Sequence, residues 1–386
     1  MLVFVFLFLL IILTSPQNIF FDGWFKKLPS SLLKKKGKGW DDAYRDDSET
    51  SRALRRRRRY LEVRNARKEY MLFIGFFFVM IAALRSNEIG LDTLVYRHHM
   101  MEIRQDGWAA IKESRFEPLY LAVSWVCAKL NSFFLLKLIV SFGFISGVFY
   151  MIYRYSVNPA LSCLLFFCFG FYYMDFNELR QAISTGVACY SFRYLVNKNL
   201  WKYLLGLTVA ILFHYSAVLL LPLVLVMYLD RIKVVHVMII ALVFFVIMYL
   251  STFLLDSMNA VISIQYGEEE ETGGWGLLLL QVFTLGLCFF RKNVLSRRRS
   301  ARYAFFFLAY SIMIFPICHM NPTLFRLEQH SWILMIILVP FLLKKLPNLL
   351  RIPGTALYVL VGLYFSFTSY YTVHNQIIPY LFLWQQ

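Results

Sequence analysis

Charge is what this sequence has least of. Only 16% of its 386 residues are Asp, Glu, Lys or Arg, against 59% hydrophobic. A water-soluble domain of that length cannot hide so much apolar surface, whereas a bilayer accepts it. Metal-ligand spacing is missing as well. The six cysteines, at 127, 163, 168, 189, 288 and 318, form no CxxC or Cys/His pattern. That speaks against a disulfide framework or zinc site and leaves them as small apolar core residues. No internal repeat is present, which disfavours the inverted-repeat transporters. No basic stretch precedes the apolar N-terminus MLVFVFLFLLIILTS; the positive charges follow it, which favours a retained first helix over a cleaved signal.

What is present is a series of nearly charge-free runs close to spanning length, such as MLFIGFFFVMIAAL from Met71 and VVHVMIIALVFFVIMYL from Val234. The formal net charge of +17 invites a nucleic-acid reading, but its distribution rejects one. Residues 22–69 alone hold sixteen Lys or Arg and eight Asp or Glu. The remaining cations cap apolar segments, at Lys198, Lys202, Arg231, Lys233, 291–302, Lys344 and Lys345. This is the signature of cytoplasmic loops under the positive-inside rule, with anionic lipid headgroups as the partner.

Alternating sides from that rule gives an all-α polytopic membrane protein. Residues 1–21 form a first span with its N-terminus outside, 22–69 a basic cytoplasmic loop with local disorder over 35–59, and 70–372 the bundle. Residues 373–386 form an outer tail. The expectation is about 12 transmembrane helices. The apolar stretch 118–130 is too short to cross upright and is read as a re-entrant or interfacial helix. The loop 291–302 falls inside and Glu268–Glu271 outside.

One group of polar residues collects at the outer helix ends of this topology. It comprises Arg85, Asp92 and Tyr96, then Glu117, then Asp175, Glu178, Arg180 and Gln181, then His214, and finally Arg326, Glu328 and His330. Ionisable residues at membrane level are costly and usually line a cavity or bind a charged partner. Each also has a plain reading. Arg180 beside Glu178 fits an interfacial ion pair, His214 a carbonyl hydrogen bond, Arg326 snorkelling to headgroups, and Asp92 after Gly90 a turn. Their convergence from separate loops is what points to a site. Arginine forks suit phosphate oxygens, and a neighbouring carboxylate suits proton abstraction from a hydroxyl. An anionic lipid such as a polyprenyl pyrophosphate is the expected ligand, with fixed cations stabilising the leaving pyrophosphate. No DxD-like pair marks an outer loop as a metal site, although Asp175 and Glu178 leave metal use open.

The run R-x4-G-x-D-T-x2-Y (Arg85, Gly90, Asp92, Thr93, Tyr96), then FEPLY, ELRQA and FHYSAVLLLP, resembles the EpsG-type family of Wzy-like polymerases of exopolysaccharide, capsule and O-antigen. The likeness covers 85–225 in order, and Arg326-Leu327 before an apolar helix fits it. The charged stretch between the first two helices is longer than such proteins lead one to expect. The resemblance implies a fold related to lipid-dependent, multi-span GT-C-like glycosyltransferases on the periplasmic or outer face of a bacterial inner membrane. It implies transfer of a growing glycan from undecaprenyl pyrophosphate to the non-reducing end of a lipid-linked repeat unit, inverting and without metal or cofactor. Carried over, Asp92 is the first choice of general base and Glu117 the second. Arg180 and Arg326, with Arg85, bind pyrophosphate; Tyr96, Gln181, His214, Glu178 and His330 position substrate. Implied partners are the undecaprenyl-pyrophosphate-linked donor and acceptor, membrane lipids, a chain-length regulator and a flippase, with no nucleic acid. A saccharide flippase, an O-antigen ligase-like enzyme, an acyltransferase and a non-catalytic scaffold stand as alternatives.

Overall fold

A computed structural model describes residues 2–15, 49–261, 274–320, 324, 326–371 and 377–385, with the backbone alone for 49–60, 258–261 and 369–371. Residues 16–48 and the acidic run Glu268–Glu271 lie outside the described residues, so the expectations for them are not addressed. Every element among the described residues is helical, apart from one isolated bridge between Arg85 and Phe382.

Helices α1 (Leu2–Leu13) and α2 (Glu49–Ala83) precede α3 (Thr93–Asp106), α4 (Trp108–Glu113) and α5 (Pro118–Lys129). The long α6 (Phe133–Tyr155) leads to α7 (Pro159–Cys168), which bends by 64° into a segment ending in α8 (Met174–Asn177). Then come α9 (Leu179–Val196), α10 (Leu200–Phe213) and a 3-10 helix (Tyr215–Tyr228). The order continues with α11 (Val234–Val261), α12 (Trp275–Phe290), α13 (Lys292–Ser296) and α14 (Arg299–Cys318). A 3-10 turn (Arg326–Glu328) opens α15 (Gln329–Trp332), followed by α16 (Met335–Lys344) and α17 (Asn348–Tyr371).

The chain is a helical membrane protein, but with fewer full spans than the hydropathy led one to expect. Among the described residues, four helices are long and apolar enough to cross a bilayer, and two bent pairs, 159–177 and 326–344, raise the number to six. The expectation of twelve is not supported. Several apolar runs fold as helices of ten to seventeen residues, including 2–13, 200–213, 215–228 and 275–290. These are shorter than the ~20 residues an upright span needs. Residues 49–69, expected as loop, are instead helical and continuous with the apolar half of α2. At 1.5 Å per residue that helix runs about 50 Å, well beyond a ~30 Å apolar layer, so its basic half projects past it.

Helix starts follow local capping chemistry. Ser132 accepts from the Leu135 amide at the head of α6, and Asn158 accepts from Leu161 at the head of α7, where Pro159 fills N1. The centre of the bundle is a seam of glycines between α6 and α9. A Cβ on Gly147 would stand 1.9 Å from the Gly186 carbonyl oxygen, and one on Gly186 would stand 2.4 Å from that of Gly143. Gly143 and Gly147 form a GxxxG step, which lets two helices touch backbone to backbone. The sequence reading passed over this motif, although the spacing was visible.

The two ends of the bundle differ in chemistry. At one end, Arg67 donates to the Ser156 carbonyl at 2.8 Å and Arg298 to that of Tyr155 at 2.6 Å, both at the end of α6. Arg299 donates to the Val196 carbonyl at 2.7 Å at the end of α9. Cations at helix C-termini complement exposed carbonyls and the helix dipole. At the other end, where α6 begins and α2 finishes, lie Arg85, Lys137 and the polar residues of the next section. The C-terminal segment returns to this end. Ser86 donates to Leu381 O at 2.8 Å, and Leu383 donates to Leu84 O at 2.9 Å.

Candidate functional site

Five of the predicted polar residues occupy breaks between helices. Asp92 stands at the N-cap position of α3 and Glu117 at that of α5, neither with a side-chain cap bond, and Glu178 sits between α8 and α9. His214 is extended, at φ −159° and ψ 122°, between α10 and the 3-10 helix. Arg326 lies in the 3-10 turn before α15. Each break frees backbone and side chain from the apolar helix faces, and irregular backbone at such depth is tolerated where protein buries it or a cavity adjoins it.

The segment 85–93 shows how the local sequence positions Asp92. Gly90 has φ +99°, and a Cβ there would stand 2.2 Å from the Phe176 carbonyl oxygen, so only glycine fits. Thr93 Oγ1 donates towards that carbonyl at 3.0 Å, and the Leu91 amide donates to Asn177 Oδ1 at 2.9 Å. The turn is thus docked onto α8. Asp92 then meets Arg326, which donates through Nη1 to Asp92 Oδ2 at 2.9 Å and pairs through Nε with Glu178 Oε1 at 3.2 Å.

A second cluster adjoins the first. Arg180 donates through Nη1 to Glu117 Oε2 at 2.7 Å, and His214 Nδ1 lies 2.7 Å from Glu117 Oε1. The Tyr215 amide donates to the same Oε1 at 3.2 Å. The Arg180 guanidinium covers the Phe116 ring at 4.2 Å and also engages the Tyr96 hydroxyl. Burial alone would raise the Glu117 carboxyl, but the hydrogen bond from His214 and the charge of Arg180 prevail and hold it down at about 2. Burial raises the Tyr96 phenol, against the pull of Arg180 and with the push of Asp92. Gln181 links the clusters, donating to the Arg326 carbonyl at 2.6 Å.

The residues of this network span 92–326 and come from widely separated parts of the chain. A family model described as the EpsG family matches residues 68–382, a range that contains all of them. The chain belongs to the EpsG family. No curated protein and no solved structure matches it. The matched range of this EpsG-family chain leaves out α1 and most of the charged stretch 22–69.

Within the EpsG-family range, Asp92, Tyr96, Glu117, Glu178, Arg180, Gln181, His214 and Arg326 come together. Arg85 does not join them. It is fully buried, with Nη1 donating to the Ala82 carbonyl at 2.6 Å and its guanidinium 5.1 Å from the Phe176 ring. Asp175, also fully buried, accepts from Ser141 Oγ at 2.9 Å. His330 is spanned on both ring nitrogens, by Thr185 and Ser216, each at 2.8 Å. It ties α9, the 3-10 helix and α15 together behind the site. Glu328 is buried against Ser311, which donates to it at 3.3 Å and so fixes the turn that carries Arg326. Sequence reasoning missed Phe116 and Tyr215, because an aromatic among 38 Phe and 24 Tyr carries no signal of its own.

Proposed function

We propose that this chain is a polysaccharide polymerase that transfers a growing glycan from undecaprenyl pyrophosphate to a lipid-linked repeat unit at the outer face of a bacterial inner membrane. The EpsG match supports a polymerase-like function. The observation that carries the chemistry is the pairing of two arginines with three carboxylates at helix breaks. Pyrophosphate oxygens are better partners for an arginine fork than a single carboxylate is. In this mechanism the donor pyrophosphate takes Arg326 from Asp92 and shares Arg180. Asp92, released from its cation, takes the proton of the acceptor hydroxyl as that oxygen attacks the anomeric carbon. The C–O bond to pyrophosphate breaks, and its electron pair leaves on a phosphate oxygen neutralised by the arginines, with inversion at the anomeric carbon.

Two sequence assignments change in this proposal. Glu117, the second choice of base, accepts from three donors and is held down at about 2, so it serves as the anchor of Arg180 and His214. Arg85, whose Nη1 and Nη2 donate to the Ala82 and Phe176 carbonyls, supports the fold of the Asp92 turn. A second reading has its own observation. The Glu117–His214 contact orients an imidazole as a carboxylate does in a hydrolase triad, which gives His214 Nε2 the geometry of a general base.

The test uses purified protein in liposomes with a lipid-pyrophosphate-linked repeat unit and no nucleotide sugar, with products resolved as a ladder. Loss of the ladder in Arg326→Ala and Arg180→Ala at wild-type folded yield is expected. Wild-type protein that makes no ladder and moves intact lipid-linked saccharide between leaflets would overturn the polymerase in favour of the flippase. Loss in His214→Gln with Asp92→Asn still active would move the base to His214.

A further inference from the structure

A cleft of about 1050 Å3 opens beside the ion network, along α3 and α4. One wall is Phe116, the ring that Arg180 covers and that the His99 ring meets at 4.4 Å between centroids. The cleft and the charged site therefore share a wall. Three carboxylates line the cleft, Glu102 and Asp106 from α3 and Glu113 from α4, against one guanidinium, Arg115. His98, whose Nδ1 lies 3.1 Å from Glu102 Oε1, His99 and Ser114 complete its polar lining. Burial lowers the His99 pKa, which disfavours a positive charge on this imidazole. Its Nε2 is bonded to Ser114 Oγ at 2.8 Å, and its Nδ1 has no partner among the described residues.

The sign of this cleft is opposite to that of a phosphate site, because a pyrophosphate placed there would face three like charges. Its size also exceeds that of a single sugar ring, since pockets of ~300–1,000 Å3 hold whole drug-sized ligands. Carboxylates accept from hydroxyls, and the exposed side chains of Leu94 and Val95 give the lining an apolar part for sugar C–H groups. We propose that this cleft is the saccharide groove of the site, holding several sugar units that carry no carboxylate, while the arginines hold the pyrophosphate. The proposal rests on the polymerase reading and names its substrate class: a glycan of neutral or amino sugars, with uronic acids repelled by Glu102, Asp106 and Glu113.

The experiment uses the full-length protein in detergent. Oligosaccharides from partial hydrolysis of the source cell's surface polysaccharide are separated by anion exchange, and binding is read by saturation-transfer NMR. Saturable binding of the neutral fraction is expected, at least fivefold tighter than that of the acidic fraction. Ala109→Trp, which fills the cleft from an exposed position without touching the ion network, should abolish it. The triple variant Glu102→Gln, Asp106→Asn, Glu113→Gln should admit the acidic fraction. No saturable binding of either fraction, equal binding of both by wild type, or full binding by folded Ala109→Trp each overturns the groove. The liposome ladder separates this outcome from the other: binding without a ladder sinks the polymerase and leaves the groove, whereas a ladder insensitive to Ala109→Trp does the reverse.

Discussion

Arg326 and Asp92 lie 234 positions apart in the chain and meet at 2.9 Å, each side chain less than a third exposed. The same guanidinium reaches Glu178 at 3.2 Å, so one cation bridges two helix breaks. If the pair is a switch released by pyrophosphate, both members are needed for turnover, and neither is needed for folding beyond an ordinary partly exposed pair.

Asp92→Asn is expected to lower the polymerisation rate by about 10²–10⁴-fold, the range that general-base removal spans, with thermal stability close to wild type. Arg326→Lys keeps the charge but loses the planar fork, and should raise the half-saturating donor concentration as well as slow the reaction. Initial rates at varied donor, beside thermal unfolding in detergent, check both. A rate within threefold of wild type for Asp92→Asn would remove it from the chemistry.

Glu117 gives a pH dependence with a definite sign. Its folded pKa of about 2 lies below the ordinary 4.5 because His214 and Arg180 outweigh burial. A depressed carboxylate contributes stability that is fully present above about 4.5 and is lost as pH falls towards 2, on the order of 3 kcal/mol in all. The unfolding temperature should therefore fall across that window. Glu117→Gln should be less stable at pH 7 and flatter below 4.5. A variant with the same acid slope as wild type would show that other groups cause it.

The α6–α9 seam predicts a contrast between two glycines. Gly147→Ala places a methyl 1.9 Å from the Gly186 carbonyl and forces the helices apart, at a cost of about 1–3 kcal/mol or more. Gly286→Ala, in α12, meets nothing within 4 Å and should be neutral or stabilise by up to about 1 kcal/mol. Folded yield and unfolding temperature of the two variants decide it; an equally tolerated Gly147→Ala would contradict the close packing.

Arg85→Gln should act on folding. Its guanidinium satisfies the Ala82 carbonyl and faces that of Phe176, and an orphaned buried carbonyl costs about 1–3 kcal/mol. Reduced folded yield is expected, with the protein that does fold retaining its apparent affinity for the lipid-linked donor. A selective rise in the half-saturating donor concentration at normal yield would return Arg85 to the phosphate site.

The sequence by itself determined that this is a helical membrane protein, because so apolar a chain has no other solvent in which to fold. It also carried the membership of the EpsG family, through ordered motifs between Arg85 and Arg326. It further marked which residues were expensive, since a charge among apolar runs is visible without coordinates. Tertiary structure alone decided which of those charges meet. Asp92, Glu178 and Arg326 converge because Gly90 lets the 85–93 turn lie on Phe176 and because the 326–328 turn folds back. Arg85 and His330 looked identical in sequence to the residues of the site, but the fold surrounds them with carbonyls and hydroxyls. Span number was equally hidden: hydropathy sums along the chain, whereas the breaks at Gly170, Glu178 and His214 are conformations. Burial is a property of what packs from elsewhere, and no local pattern encodes it.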